Sequence, residues 1–316
     1  MSKVLITGAL GQIGTELTMA LRNRYGTDNV ICSDIKDSCP EGPLAAGIYE
    51  QIDVMQPEKI VEAVKRHNID HIVHLAALLS AVGEQKPSLA WQINMGGLFN
   101  VLEVARETNC AIFTPSSIAA FGPDTPADNT PQDTIQRPTT MYGVTKVAGE
   151  LLCDYYYQKY GVEVRGVRFP GLISYEALPG GGTTDYAVHI YYDALKNGSY
   201  TSYIDKGTFM DMMYMPDALD AIIGLMEADG AKLKHRNAFN IAAMSFDPEM
   251  LGESIKKYIP QFTLSYDVDP IRQAIANSWP NSLDDSAARE EWGWNPKYTL
   301  DSMTADMLEK LRQKGI

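Results

Sequence analysis

The chain has 316 residues, with 27 Lys or Arg against 40 Asp or Glu, a formal net charge of −13 at pH 7. An acidic chain without a basic cluster lacks the counterion-release energy that drives binding to nucleic acid or anionic membranes, so neither is an expected partner. A hydrophobic content of 45% is too high for a disordered protein, and no run of 18 apolar residues is available to span a bilayer; what remains is a globular protein acting on something small.

Met1-Ser2-Lys3 runs directly into Val4-Leu5-Ile6, which leaves no room for a signal peptide and predicts a cytoplasmic location. From Lys3 to Pro170, short apolar runs alternate with stretches of helical period. The runs are Val4–Thr7, Val30–Ser33, Tyr49–Val54, Ile72–Leu75, Ala111–Thr114 and Val164–Phe169. They are nearly continuous and β-branched, as in strands buried on both faces of a parallel sheet. Between them, Ile60, Val61, Val64 and His67 mark one helix, and Leu98, Val101, Leu102 and Ala105 another. Such alternation predicts right-handed crossovers and an α/β fold, a Rossmann-type doubly wound parallel sheet.

After Pro170 the pattern becomes irregular. Pro179-Gly180-Gly181-Gly182 reads as a flexible loop, Asp185–Lys196 and Pro216–Glu227 as helices, and Phe239–Ala242 as a short strand. Residues 1–170 are therefore expected to form the doubly wound domain. Residues 171–316 are expected to form a smaller α/β substrate-binding lobe, partly interleaved with the first and packed at the carboxyl end of its sheet. The cysteines, Cys32, Cys39, Cys110 and Cys153, form no Cys-x-x-Cys pair and read as reduced thiols.

Gly8-Ala9-Leu10-Gly11-Gln12-Ile13-Gly14 follows the first strand and opens a helix. That placement suits a dinucleotide, whose pyrophosphate needs a tight turn, a close backbone approach and free N–H groups at a helix N-terminus. Asp34, twenty residues after Gly14, ends the next strand, where a carboxylate can accept from both adenosine ribose hydroxyls. It would repel a 2′-phosphate, so NAD is the expected cofactor. Asp53, at the end of the third run, is a candidate for the adenine amino group.

Tyr-x-x-x-Lys occurs three times, as Tyr142/Lys146, Tyr155/Lys159 and Tyr192/Lys196, and each pair would share one helix face. A phenol is a poor base at neutral pH unless a neighbouring ammonium stabilises its phenolate. The reaction also needs a hydroxyl donor at the carboxyl ends of the strands. Only Tyr142/Lys146 meets that condition, because the preceding strand ends in Thr114-Pro115-Ser116-Ser117 and brings Ser117 to the same rim.

Gly8-x-x-Gly11-x-x-Gly14, Asp34, His74-Leu75-Ala76-Ala77, Asn94 with Gly97 and Asn100, Ser116-Ser117 and Tyr142-x-x-x-Lys146 together resemble the extended short-chain dehydrogenase/reductase superfamily over residues 3–170. Trp292-Gly293-Trp294-Asn295-Pro296 is similar to that group's ending. The resemblance implies that Gly8, Gly11, Gln12, Ile13, Gly14, Asp34, Asp53, Val54, Leu75, Ala76, Ala77, Asn94, Tyr142 and Lys146 contact NAD. It also implies a homodimer formed by the Asn94 helix and the Tyr142–Tyr160 helix, the latter rich in Leu151, Leu152, Tyr155, Tyr156 and Tyr157.

Most members with this pattern act on nucleotide sugars as epimerases, dehydratases or reductases. In those, an Arg binding the substrate pyrophosphate stands just before the Asp of a stretch corresponding to Phe209–Tyr214; here that position is Met210. The segments Pro179–Val188, Met212–Asp217 and Arg272–Pro280 instead resemble the short-chain type of L-threonine 3-dehydrogenase. This implies oxidation of L-threonine at C3 to 2-amino-3-oxobutyrate, with Tyr142 as base, Lys146 supporting it and holding the nicotinamide ribose, and Ser117 as hydroxyl donor. Ser116 is a possible helper. Ser80 and Thr184 are candidate contacts to the substrate's carboxylate and ammonium. Asp185 either balances the ammonium or caps its helix. Trp279 either closes the site, with Gly180–Gly182 as a mobile lid, or packs the lobe. Asn94 either holds a water linking Lys146 to solvent or is structural. The histidines and cysteines show no zinc-site spacing, so no metal is expected, and His74 reads as a core residue.

Overall fold

The structure is a computed structural model that describes residues 2–176, 178 and 180–316; Met1, Ala177 and Pro179, the last belonging to the expected glycine loop, lie outside the described residues. The chain begins with β1 (Val4–Thr7), α1 (Gln12–Tyr25), β2 (Val30–Asp34), β3 (Tyr49–Gln51), α2 (Pro57–His67) and β4 (His71–His74). Next come α3 (Ser80–Gln85), α4 (Pro87–Trp91), a π-helical turn at Gln92–Gly96, α5 (Gly97–Thr108), β5 (Ala111–Phe113), β6 (Ser116–Ser117), α6 (Met141–Tyr160), β7 (Val164–Arg165) and β8 (Val167–Phe169). The remainder comprises β9 (Gly171–Ile173), α7 (Tyr186–Asn197), β10 (Ser199–Ser202), β11 (Met210–Tyr214), α8 (Met215–Glu227), β12 (Phe239–Asn240) and β13 (Met244–Phe246). It ends with α9 (Pro248–Lys256), β14 (Thr263–Tyr266), α10 (Pro270–Ala276), α11 (Ser286–Trp292) and α12 (Leu300–Gln313).

The central sheet has six parallel strands in the order β3-β2-β1-β4-β5-β7. Strand order reverses between β1 and β4, so a crevice opens at their carboxyl ends, where doubly wound sheets hold ligands. Alternate residues of β1 serve opposite faces. Val4 and Ile6 join Leu17 and Leu21 of α1 with Ala218, Ile222 and Leu225 of α8. Leu5 joins Ile72 with Val101 and Leu102 of α5 and Tyr156 of α6. All three β1 side chains are fully buried; burial of each contributes about 1.5–3 kcal/mol, which explains the unbroken apolar run.

Two expected strands end differently. The Tyr49–Val54 run stops at Gln51, because the Asp53 carboxylate accepts from Met55 N at 2.9 Å and turns the chain toward α2. The Val164–Phe169 run is divided at Gly166, whose N–H donates to Arg236 O and whose carbonyl accepts from Phe239 N. Beyond that switch β8 leaves β5 and pairs with β6 and β12. The expected helix at Asp185–Lys196 is α7, which begins one residue later, at Tyr186.

In the second half, β11 pairs in parallel with β9 and antiparallel with β13, while β10 pairs with β14. Tyr186 and Tyr191 of α7, Met210 and Met212 of β11, Leu251 of α9 and Met307 and Leu311 of α12 share one apolar cluster. The second half also reaches back: Tyr25 of α1 donates to Glu227 at the end of α8 at 2.8 Å, and Arg24 pairs with the same carboxylate. Among the described residues, no helix is long and apolar enough to cross a membrane.

Candidate active site

A cleft of about 260 Å³ lies above the carboxyl ends of β1 and β4. Its floor is the turn from β1 into α1. Gly8 has φ +70°, and a Cβ there would meet Ala76 N at 2.7 Å; a Cβ on Gly14 would meet Gly8 O at 2.6 Å. Only glycine lets this turn close so tightly. Gly11 begins α1 without a side-chain cap, and the first turn carries no acidic residue. The first-turn N–H groups have no intrahelical partner and keep their attraction for an anion. The Gln12 side-chain nitrogen is buried here without a hydrogen-bond partner. An uncapped helix N-terminus, a glycine cradle and an orphaned amide donor fit the pyrophosphate of a dinucleotide.

Asp34 stands beside this turn, accepting from Leu10 N at 3.2 Å. Asp53 and Val54 follow the neighbouring strand, Val54 O accepting from Asn100 Nδ2 at 2.9 Å. Neither these two nor Asp34 lines the cleft itself, whereas Gly8, Gly11, Gln12, Ile13, Gly14, Leu75 and Ala77 do. Below the crevice His74 is buried and bonded to Thr7 Oγ1 at 2.9 Å. Burial first, and the Lys146 ammonium second, hold its imidazole down at about 3, so it is neutral.

The opposite wall comes from α6. Thr140 caps that helix by accepting from Gly143 N at 3.1 Å, and Glu84 of α3 accepts from Met141 N at 2.5 Å. Tyr142 and Lys146 both line the cleft, with Lys146 Nζ 5.3 Å from the Tyr142 ring centroid and 2.7 Å from Pro115 O, to which it donates. Ser117 lines the same cleft and its Oγ accepts from Ala119 N at 3.2 Å. With that lone pair engaged, the hydroxyl hydrogen is available to an oxygen in the cleft. A phenol, an ammonium and a hydroxyl donor beside a nicotinamide-sized space can carry a proton away from an alcohol as hydride leaves it.

The other Tyr/Lys pairs lie elsewhere. Tyr155 packs edge-on against Tyr156 and Tyr160, at 6.0 and 5.8 Å between centroids. Lys196 lies 5.8 Å from the Tyr192 ring on α7, and neither residue lines the cleft.

Ser80, Thr184, Asp185 and Trp279 complete the cleft wall. The Asp185 carboxylate does not cap α7; its Oδ2 accepts from Gly181 N at 2.9 Å and from Gly182 N at 2.5 Å. Burial pushes that carboxyl upward, and the glycine N–H groups pull it back. Asn94, in the π-helical turn, is tied on both sides of its amide: Oδ1 accepts from Leu78 N at 2.8 Å, and Nδ2 donates to Leu78 O and Thr145 Oγ1. Asn94, with Ala76, lines a smaller cavity behind Lys146 rather than the cleft. Leu79, Ile118, Phe169 and Leu172 also form the wall and were not singled out from the sequence, because apolar residues at strand ends resemble core. Among the described residues that line the cleft, Lys146 is the sole cation. Met210 is fully buried in the second-half core. Among the described residues, no cluster of three or more His, Cys, Asp or Glu is arranged to hold a metal ion.

A doubly wound sheet, a glycine cradle and this Tyr/Lys/Ser cleft define an oxidoreductase of the nicotinamide-dependent class. The chain belongs to the NAD dependent epimerase/dehydratase family, matching it over residues 4–242, and so to the extended short-chain dehydrogenases/reductases. An uncharacterized epimerase/dehydratase of Staphylococcus aureus is 61% identical over 99% of this chain and 98% of its own. A solved L-threonine dehydrogenase from Clostridium difficile is 63% identical with a TM-score of 0.98, covering 100% of this chain and 99% of its own. That from Phytophthora infestans is 50% identical with a TM-score of 0.95, covering 99% and 100%. A UDP-glucose 4-epimerase from Thermotoga maritima, 20% identical with a TM-score of 0.85 over 99% of this chain and 100% of its own, shares the fold.

Proposed function

We propose that the protein oxidises L-threonine at C3 to 2-amino-3-oxobutyrate, with NAD as the hydride acceptor. The observation that carries this reading is end-to-end likeness to an L-threonine dehydrogenase, at 63% identity and a TM-score of 0.98, in a chain whose cleft gathers Tyr142, Lys146 and Ser117. The substrate-facing half is included in that likeness, and substrate choice resides there. NAD is favoured over NADP because Asp34 occupies the ribose end of the site. NAD supplies a carbon that accepts hydride; every other step falls to the protein.

In this reading the Tyr142 phenolate takes the C3 hydroxyl proton. Lys146, fixed through Pro115 O, stabilises the phenolate and holds the nicotinamide ribose. Ser117 donates to the reacting oxygen as charge develops on it. Ser80 and Thr184 face the substrate's charged groups, and Trp279 walls the pocket against water. Residues 1–170 would serve the cofactor and 171–316 the substrate.

The rival is a nucleotide-sugar epimerase or dehydratase of the same family. A second diphosphate would need its own cation, and Lys146 is already committed. The test is NADH absorbance with purified protein, NAD and L-threonine. Turnover supports the reading; no NADH from threonine but conversion of a UDP-sugar would overturn it. We further propose a homodimer through the exposed apolar side chains of α5 and α6, and a reducing cytoplasmic setting, supported by free Cys32, Cys39, Cys110 and Cys153. A 44% identical relative is described as monomeric, so the assembly is a matter for measurement.

A further inference from the structure

Tyr142, Lys146 and Glu150 recur at intervals of four along α6 and so lie on one helix face. The first two line the cleft; the third does not. Glu150 is 6% exposed, and its carboxylate is fully engaged. Arg168 Nε donates to Oε1 at 3.0 Å and Nη2 to Oε2 at 2.8 Å, Gln136 Nε2 donates to Oε2 at 2.7 Å, and the Ser116 hydroxyl donates to Oε1. Arg168 is also 6% exposed and is held in turn by Gln132 O at 2.8 Å, Asn240 Oδ1 at 3.0 Å and the Phe121 ring at 4.9 Å.

A buried ion pair is costly to desolvate, and an apolar pair of similar volume commonly serves stability as well. What this pair adds is geometry. The segment 115–119 meets α6 at three points. Lys146 takes the Pro115 carbonyl, Glu150 takes the Ser116 hydroxyl, and Ala119 O lies so close to Gly143 that a Cβ there would stand 2.2 Å away. The same segment pairs with β8, Ser116 opposite Arg168 and Ser117 opposite Phe169. Strand β6 is two residues long, and a ladder that short fixes little by itself. Both serines line the cleft, but the Ser116 hydroxyl is turned to Glu150, whereas Ser117, alternating with it along the strand, leaves its hydroxyl hydrogen to the cleft.

We propose that Glu150, acting through the Ser116 hydroxyl and braced by Arg168, is a positioning residue that sets where the Ser117 hydroxyl stands relative to the Tyr142 phenol. The inference rests on the reading of Tyr142 and Ser117 given above. One helix then carries the base, its ammonium partner and the anchor for the hydroxyl donor, so the distance between the two oxygens is set by a single rigid element. A displacement of the donor by about 1 Å is enough to cost on the order of 10²-fold in rate, which is why such an anchor matters.

The test uses Ser116→Ala, which removes the hydroxyl and leaves the Glu150–Arg168 pair, together with Glu150→Gln and the double variant. Turnover, KM for L-threonine, NADH binding by fluorescence and hydrogen exchange of the 116–121 amides are measured on each. Ser116→Ala should lower kcat about 10-fold, with KM and the NADH dissociation constant within two-fold. Deuterium at C3 of threonine should slow the variant more than the parent, because hydride transfer then limits the rate. Glu150→Gln should lose at least as much, and the double variant no more than Glu150→Gln. Amides 116–121 should exchange faster in Ser116→Ala. That readout needs no substrate, so it judges the proposal even if Tyr142→Phe keeps its activity or threonine proves not to be the substrate. Unchanged exchange, unchanged kcat in Ser116→Ala, or losses that multiply in the double variant would each overturn it.

Discussion

Lys146 donates to the carbonyl of Pro115 at 2.7 Å, so the helix that carries Tyr142 is bonded to the strand segment that carries Ser117. One of its three N–H groups is spent on that carbonyl, which in the proposed reading leaves two for the nicotinamide ribose and the phenol. Tyr142→Phe keeps that bond and the cleft shape but removes the proton acceptor. Turnover should fall by about 10²–10⁴-fold, the usual share of a general base, while NAD still binds. Steady-state rates with parallel NADH fluorescence check this, and full activity would refute the assignment.

Asp34 accepts from Leu10 N at 3.2 Å, which fixes its carboxylate beside the glycine turn, where the proposed reading places the adenosine ribose. Asp34→Ala should weaken NAD by about 10-fold and narrow the preference over NADP, since both a hydrogen-bond acceptor and a repulsive charge are lost. Ratios of kcat/KM with the two cofactors read the effect. An unchanged ratio would place the ribose elsewhere.

Gly14→Ala would set a methyl 2.6 Å from Gly8 O and 2.7 Å from Ala9 Cα, both backbone atoms that cannot swing aside. The variant should lose about 1–3 kcal/mol of stability through overpacking. It should also lose most NAD affinity. Thermal unfolding with and without NAD separates the two effects: the parent should gain melting temperature with NAD, the variant little.

Burial, aided by Lys146, holds the His74 imidazole at about 3, against 6.5 for a free one. The folded state therefore gains from this residue fully above pH 6.5, and the gain is lost as pH falls toward 3. The half-buried Glu16 and the buried Asp211 act in the opposite sense. Both are raised to about 7, mainly by burial, so their stabilising protonated forms are lost as pH rises through that value. Comparing parent with His74→Asn isolates the imidazole. At pH 5 the parent should have lost roughly 2 kcal/mol that the variant does not lose. Parallel curves for the two proteins would contradict this.

Phe99 of α5 and Leu151, Tyr155 and Tyr160 of α6 are 48%, 64%, 49% and 46% exposed, and these apolar side chains support the proposed dimer. Sedimentation should give twice the chain mass, and Leu151→Glu with Tyr155→Glu should give single chains. A parent that sediments as one chain would remove the proposed dimer.

The first half was legible because strands buried on both faces leave unbroken apolar runs, and because the glycine turn and Tyr142/Lys146 follow spacings set by backbone geometry. What escaped notice has a common cause. Glu150 and Arg168 are charged, and in a sequence charged residues read as solvated surface; their burial appears only once Ser116, Gln136 and Asn240 are brought around them. Asp185 suggested a helix cap or an ammonium partner; its carboxylate accepts from Gly181 N and Gly182 N, capping the short turn before α7 rather than α7 itself, while the residue lines the cleft. The second half was irregular to the eye because its strands are divided among separate small sheets, β13-β11-β9, β10-β14 and β12-β8-β6, and do not alternate with helices in one parallel series.

The return of α8 to the flank of α1, and of β12 to the edge of β8, has a bearing on biosynthesis. A nascent chain that has emerged only to Pro170 has the cofactor turn but not the helix that covers one face of β1, nor the strand that completes β8. Leu17, Leu21 and Phe169 would meet water until residues 215–241 arrive. The glycine turn thus stays incompletely covered until residues 215–241 are in place, and a fragment ending at residue 170 should be retained by chaperones instead of binding NAD.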